Sequence, residues 1–188
     1  NPGNCANPSI IIIVVRLNAP ADNLYRDGIA IIFSNLKRDS YIASIKTGNL
    51  IHQVLGTQEA ISRDALEAIF LTPDGYVSDG TRSNIYFVLG NKVLTPPAEV
   101  GIIAGITRSL VLEIASEEGI KIREKKFTPF EIRTAEEAFI TSTTRGILPV
   151  TRIDGNAVGS GNVGPITTSL MTAFRKAVES LAEQEQSG

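Results

Sequence analysis

The chain has 188 residues, 43% hydrophobic and 20% charged, a balance that fits one globular domain with a substantial core. A net charge of −2 gives no bulk electrostatic pull toward nucleic acid or an anionic membrane surface. The lone cysteine, Cys5, excludes an internal disulfide and points to a cytoplasmic setting, while one histidine and one cysteine leave a His/Cys metal centre without support.

Asn1 to Pro8 reads as a linker. Ser9 to Leu17 is a continuous β-branched run and predicts a strand buried on both faces; at this length it is too short to span a membrane. Asn18 to Asp27 carries turn signals and reads as a loop, followed by a strand over Gly28 to Ser34. After the charged break Lys37-Arg38-Asp39, a further strand is expected over Tyr41 to Lys46. From Asn49 the apolar period becomes helical through Leu50, Val54, Leu55 and Ala60 or Ile61. Ala65 to Leu71 is a strand, Pro73-Asp74-Gly75 a turn, and Tyr76-Val77-Ser78 leads back as a hairpin. Ser83 to Leu89 and Lys92 to Thr95 form a second hairpin across Gly90-Asn91, ended by Pro96-Pro97.

Gly105 to Glu118 is the clearest helix. Ile106, Leu110, Val111 and Ile114 line one face, and Gly119 stops it. Ile120 to Lys126 alternates like a half-exposed strand, Thr128-Pro129 opens a short helix, and Ala138 to Ser142 and Ile147 to Ile153 are strands. Ile166, Leu170, Phe174 and Leu181 mark a final amphipathic helix. Strands outnumber helices and hairpins mix with crossovers, so the expected class is α+β, a mixed, barrel-like sheet with helices outside.

Four stretches carry chemistry. Lys46 sits with no acidic residue within four positions on either side and with Ile45, Leu50 and Ile51 nearby. An amine nucleophile needs such apolar surroundings, although a lone lysine there is most often a strand-end side chain reaching solvent. Gly105-Ile106-Thr107-Arg108 opens the best helix, whose first N–H groups have no internal partner and favour an anion; an ordinary helix start reads the same way. Thr141-Ser142-Thr143-Thr144-Arg145-Gly146 places four hydroxyls and a guanidinium at a strand end, suited to the same anion or to a polar loop. Asp79, between two strands, is either a plain Asp-Gly turn residue or a carboxylate facing a cleft, where it could keep a pyridine nitrogen protonated.

An amine, two anion-binding loops and a carboxylate are the parts of a pyridoxal 5′-phosphate site. In their order and spacing, Ile45 to Leu50, Gly75 to Phe87, Gly105 to Arg108 and Thr141 to Val150 resemble the class IV pyridoxal-phosphate enzymes: branched-chain and D-amino-acid aminotransferases and aminodeoxychorismate lyases. The resemblance implies a large, pseudo-barrel cofactor domain over residues 9–184, preceded by an interdomain linker remnant at 1–8. It also implies a smaller N-terminal domain that this chain lacks, supplied in cis or as a separate chain. Lys46 would be the Schiff-base lysine and move the substrate proton. Asp79 would face the ring nitrogen, where the family has glutamate. The backbone of Ile106 and Thr107, the Thr107 hydroxyl, Ser142 and Thr143 would hold the phosphate, and Thr144 and Arg145 would meet the substrate. Aspartate reaches about 1.5 Å less far than glutamate, one C–C bond, which weakens the electron sink unless the backbone moves in. The implied activity is amino transfer between an amino acid, branched-chain or D-, and a 2-oxo acid, in a homodimer. A lyase of the aminodeoxychorismate type and a cofactor-free interaction module are the other open readings.

Overall fold

The structure, a computed structural model, describes residues 9–17, 19–38 and 45–186. A short helix α1 (Asp22–Asp27) leads into β1 (Ile29–Lys37). Helix α2 (Ile51–Ser62) precedes β2 (Glu67–Leu71), β3 (Val77–Gly80), β4 (Asn84–Leu89) and β5 (Lys92–Thr95). A 3-10 turn at Ala98–Val100 precedes α3 (Ile106–Glu117) and β6 (Lys121–Glu124). Strands β7 (Glu137–Ser142), β8 (Gly146–Ile153) and β9 (Asn156–Ala157) then lead to α4 (Pro165–Gln186).

The strands form one mixed sheet in the order β3-β2-β1-β8-β7-β4-β5-β6, with β9 added on β8. Strand β1 runs parallel to both neighbours, β2 and β8, and β5 runs parallel to β6. The hairpins β2–β3, β4–β5 and β7–β8 supply antiparallel pairs. Parallel neighbours need a crossover, and α2 makes it between β1 and β2, as α3 does between β5 and β6.

The apolar runs of the central strands are buried on both faces, so one face cannot be read from a polar alternation. Ile29, Ile31, Ile69, Ile85, Phe87, Ala138, Ile140, Leu148 and Val150 point to one side and share a core with Val77 and Phe127. The alternate residues Tyr86, Val88, Phe139 and Ile147 point to the other side, under Val111, Ile114 and Ala115 of α3 and Leu170 of α4. Ala30, Ile32 and Ala68 lie under Ala60 of α2. The sheet curls enough that its two ends approach: the Val77 N–H on β3 donates to the Phe127 carbonyl, just beyond β6, at 2.9 Å. The expected mixed, barrel-like sheet with outer helices is the observed fold, the sheet being curled into a half-barrel.

Several elements differ from expectation. Ser9 to Leu17 forms no strand, and Ile10 to Val15 are between 78% and 91% exposed. β-Branching favours a pleated, half-buried surface only where a partner strand provides one, and no described strand pairs with this run. Asp22–Asp27 is helical rather than looped, with Leu24 and Tyr25 on the core. Gly28 follows at φ 74°, and a Cβ there would collide with Thr151 Cγ2, so glycine is required on both counts. Thr128-Pro129 opens turns and no helix; its Thr128 N–H and hydroxyl donate to Glu131 Oε2. In α3 Ile106 faces out at 84% exposure, and Thr107 and Arg108 take the buried side instead. The linker expected at residues 1–8, and positions 41–44 of the strand expected over Tyr41 to Lys46, lie outside the described residues. Ile45 and Lys46 themselves are not in a strand.

Candidate cofactor site

A cavity of about 540 Å³ opens where four parts of the fold meet: the end of β1 with residues 45–47, the first turns of α2, the β3–β4 connection, and the start of α3 beside the end of β7. Lys46, Asp79, Thr107, Ser142 and Thr143 all line it, although they come from segments up to 97 residues apart (Lys46 to Thr143). Lys46 is exposed and makes no ion pair among the described residues. Of the apolar residues the sequence places near Lys46, Ile45 and Leu50 line the cavity and Ile51 does not, and Val54 joins them.

The anion-binding end is built by α3. Gly105 is the N-cap in extended conformation, and the first helical bond runs from the Ser109 N–H to the Gly105 carbonyl at 3.0 Å. The N–H groups of Ile106, Thr107 and Arg108 are therefore without a helical partner. The Ile106 side chain does not line the cavity, so its contribution rests on its backbone alone. Gly105 sits close against β4: a Cβ would come within 2.8 Å of Asn84 Oδ1. The Asn84 amide is itself fixed by donating to the Ile103 carbonyl at 2.9 Å. Lining the same cavity, Ser83 and Ser142 have hydroxyl oxygens that are buried without a hydrogen-bond partner among the described residues. Orphaned buried hydroxyls are costly, and beside a helix N-terminus they suit a phosphate.

Asp79 is buried on β3. Its Oδ1 accepts from Arg38 Nη1 at 2.8 Å and from the Ser78 hydroxyl at 3.4 Å, and its Oδ2 accepts from the Ile103 N–H at 3.3 Å. Burial pushes its carboxyl up from 3.8 to about 6, opposed chiefly by the Arg38 charge and then by the Ile103 N–H bond. Arg38 is the site residue that sequence reasoning missed. It stands at the end of an apolar strand inside Lys37-Arg38-Asp39, a cluster that reads as a solvated break, and nothing local signals that its side chain is 7% exposed and turned onto Asp79.

Thr144 and Arg145 do not line the cavity. Arg145 Nη1 donates to Glu67 Oε2 at 2.9 Å, and Glu67 Oε1 accepts from the backbone N–H and the hydroxyl of Thr81. The Tyr25 hydroxyl donates to the Arg145 carbonyl at 2.9 Å. This buried pair braces the wall behind Thr81 and leaves the Arg145 guanidinium committed to Glu67.

Residues 2–153 match the family described as amino-transferase class IV. The chain is 43% identical over 134 residues to the D-alanine aminotransferase of Bacillus licheniformis, covering 71% of this chain and 47% of that protein. It is 40% identical over 127 residues to the branched-chain-amino-acid aminotransferase of Pseudomonas aeruginosa, covering 68% of this chain and 41% of that protein. Among solved structures, the T.th. branched-chain amino acid aminotransferase with pyridoxamine 5′-phosphate superposes with a TM-score of 0.79 at 30% identity, over 84% of this chain and 53% of that one. The chain spans about half the length of the relatives it matches. Among the described residues no helix is long and apolar enough to cross a membrane.

Proposed function

We propose that this chain, which belongs to the amino-transferase class IV family, holds pyridoxal 5′-phosphate and serves the transfer of an amino group between an amino acid and a 2-oxo acid. The observation that carries this reading is one cavity lined by an amine, a buried carboxylate, a helix N-terminus and partnerless hydroxyls. The relatives named above act on D-alanine and on branched-chain amino acids, and those are the two donor classes we propose.

Bound here, the cofactor supplies an electron sink for negative charge at the substrate Cα. The protein's own part divides by residue. The unpartnered N–H groups of Ile106 and Thr107, with the hydroxyls of Thr107, Ser142 and Thr143, hold the phosphate. Lys46 Nζ would hold the cofactor and, once the substrate amine has displaced it, would take and return the Cα proton. Asp79, as an anion, keeps a proton on the ring nitrogen. Ile45, Leu50 and Val54 give the α2 side of the cavity an apolar lining. We further propose that the working protein is a cytoplasmic homodimer whose substrate pocket is completed by a smaller domain, in cis or as a separate chain.

The test is amino transfer to 2-oxoglutarate, with cofactor supplied and D-alanine or L-leucine as donor. Glutamate should form with one donor and disappear in Lys46→Ala. With the smaller domain present, no transfer from either donor, or transfer that survives Lys46→Ala, refutes the reading.

A further inference from the structure

We infer that Arg38 is the positioning residue of this site: its guanidinium clamps the Asp79 carboxylate as an anion against the cavity wall. The inference rests on the cofactor reading above and adds to it the residue that holds the buried carboxylate in place.

The geometry is that of a desolvated pair. The Arg38 and Asp79 side chains are 7% and 5% exposed and meet at 2.8 Å. Arg38 is anchored from two further directions. Its backbone N–H donates to the Leu71 carbonyl at 3.0 Å, extending β1 along β2, and its guanidinium lies 5.6 Å from the centre of the fully buried Phe70 ring. The carboxylate accepts from Arg38, Ser78 and Ile103, and Asp79 lines the cavity. The other charged groups lining that cavity are Lys46 and Arg82, and neither is hydrogen-bonded or ion-paired to Asp79. An isolated carboxyl buried this deeply takes up a proton instead of staying charged. A protonated Asp79 would offer the ring nitrogen no charge.

The test is a ¹³C NMR titration of the Asp79 carboxyl in the protein without cofactor, the signal being assigned by its loss in Asp79→Asn. In Arg38→Met the midpoint should rise by about 1–3 pH units, and Arg38→Lys should recover most of that rise. With cofactor bound, the pH dependence of its absorbance should move in the same direction in Arg38→Met. Superimposed titrations of wild type and Arg38→Met overturn the inference. If Arg38→Met does not fold, the wild type decides: an Asp79 ionised at neutral pH supports the clamp and a protonated one refutes it. The titration needs no cofactor, so a failure of the wild type to take up pyridoxal phosphate counts against the proposed function alone.

Discussion

At the scale of single residues the site depends on two buried ion pairs with different consequences. Asp79 has its midpoint raised from 3.8 to about 6, so the folded state binds that proton more tightly than the unfolded chain. Its contribution to stability is therefore fully present below the ordinary aspartate range and is lost as pH rises through about 6. The expected loss is of order 3 kcal/mol, at about 1.4 kcal/mol per unit. Urea unfolding of wild type and Asp79→Asn at about pH 4 and about pH 7 reads it as a fall in the wild-type-minus-variant difference; a pH-independent difference contradicts it. Glu67, by contrast, is structural. Removing it leaves Arg145 half of a buried pair and Thr81 without its acceptor, and Glu67→Ala should cost about 3–5 kcal/mol, measured by the same unfolding. Sequence alone suggests Lys46, Asp79, Thr107 and Ser142 because each belongs to a short motif whose chemistry is local. It does not suggest Arg38, whose role comes from a partner 41 residues away.

At the scale of elements, the site is sharp where helices are pressed against strands. Gly105→Ala puts a methyl group 2.8 Å from Asn84 Oδ1, forcing either the asparagine off the Ile103 carbonyl or the start of α3 outward. Pyridoxal phosphate affinity, read by equilibrium dialysis, should fall about tenfold, the equivalent of one displaced hydrogen bond of about 1.4 kcal/mol; unchanged affinity would mean that α3 does not hold the phosphate. Gly56 seats α2 on β2, where an added Cβ meets the Phe70 ring at 2.8 Å and Thr81 Cγ2 at 2.9 Å. Alanine there improves helix propensity by about 1 kcal/mol, yet overpacking costs about 1–3 kcal/mol. The net effect on thermal unfolding should be a lower midpoint. Most elements are legible because Pro73-Asp74-Gly75, Gly90-Asn91 and Gly119 punctuate them, and the structure turns at each. Ile10 to Val15 mislead because a strand is a property of two segments, and apolar β-branched composition describes only one of them. Ile106 misleads for a related reason: the first turn of α3 is oriented by the cavity it borders rather than by its apolar stripe.

At the scale of the whole molecule, the curled sheet explains why residues from β1, the β3–β4 connection, α3 and β7 share one cavity. The β3 and β6 ends of the sheet approach through Val77 and Phe127, which brings the β3–β4 connection and the start of α3 together near the end of β7. The mixed, barrel-like class can be read from the succession of hairpins and crossovers, but the closure cannot, since it joins segments 50 residues apart through a hydrogen bond and a shared core (Val77 to Phe127). Whether this cavity holds pyridoxal phosphate on Lys46 is tested most directly by incubation with the cofactor, borohydride reduction and peptide mass mapping. A phosphopyridoxyl group should be found on Lys46 and be lost when Lys46 is replaced by alanine; no stable label, or a label on another lysine with Lys46 unmodified, would contradict that assignment.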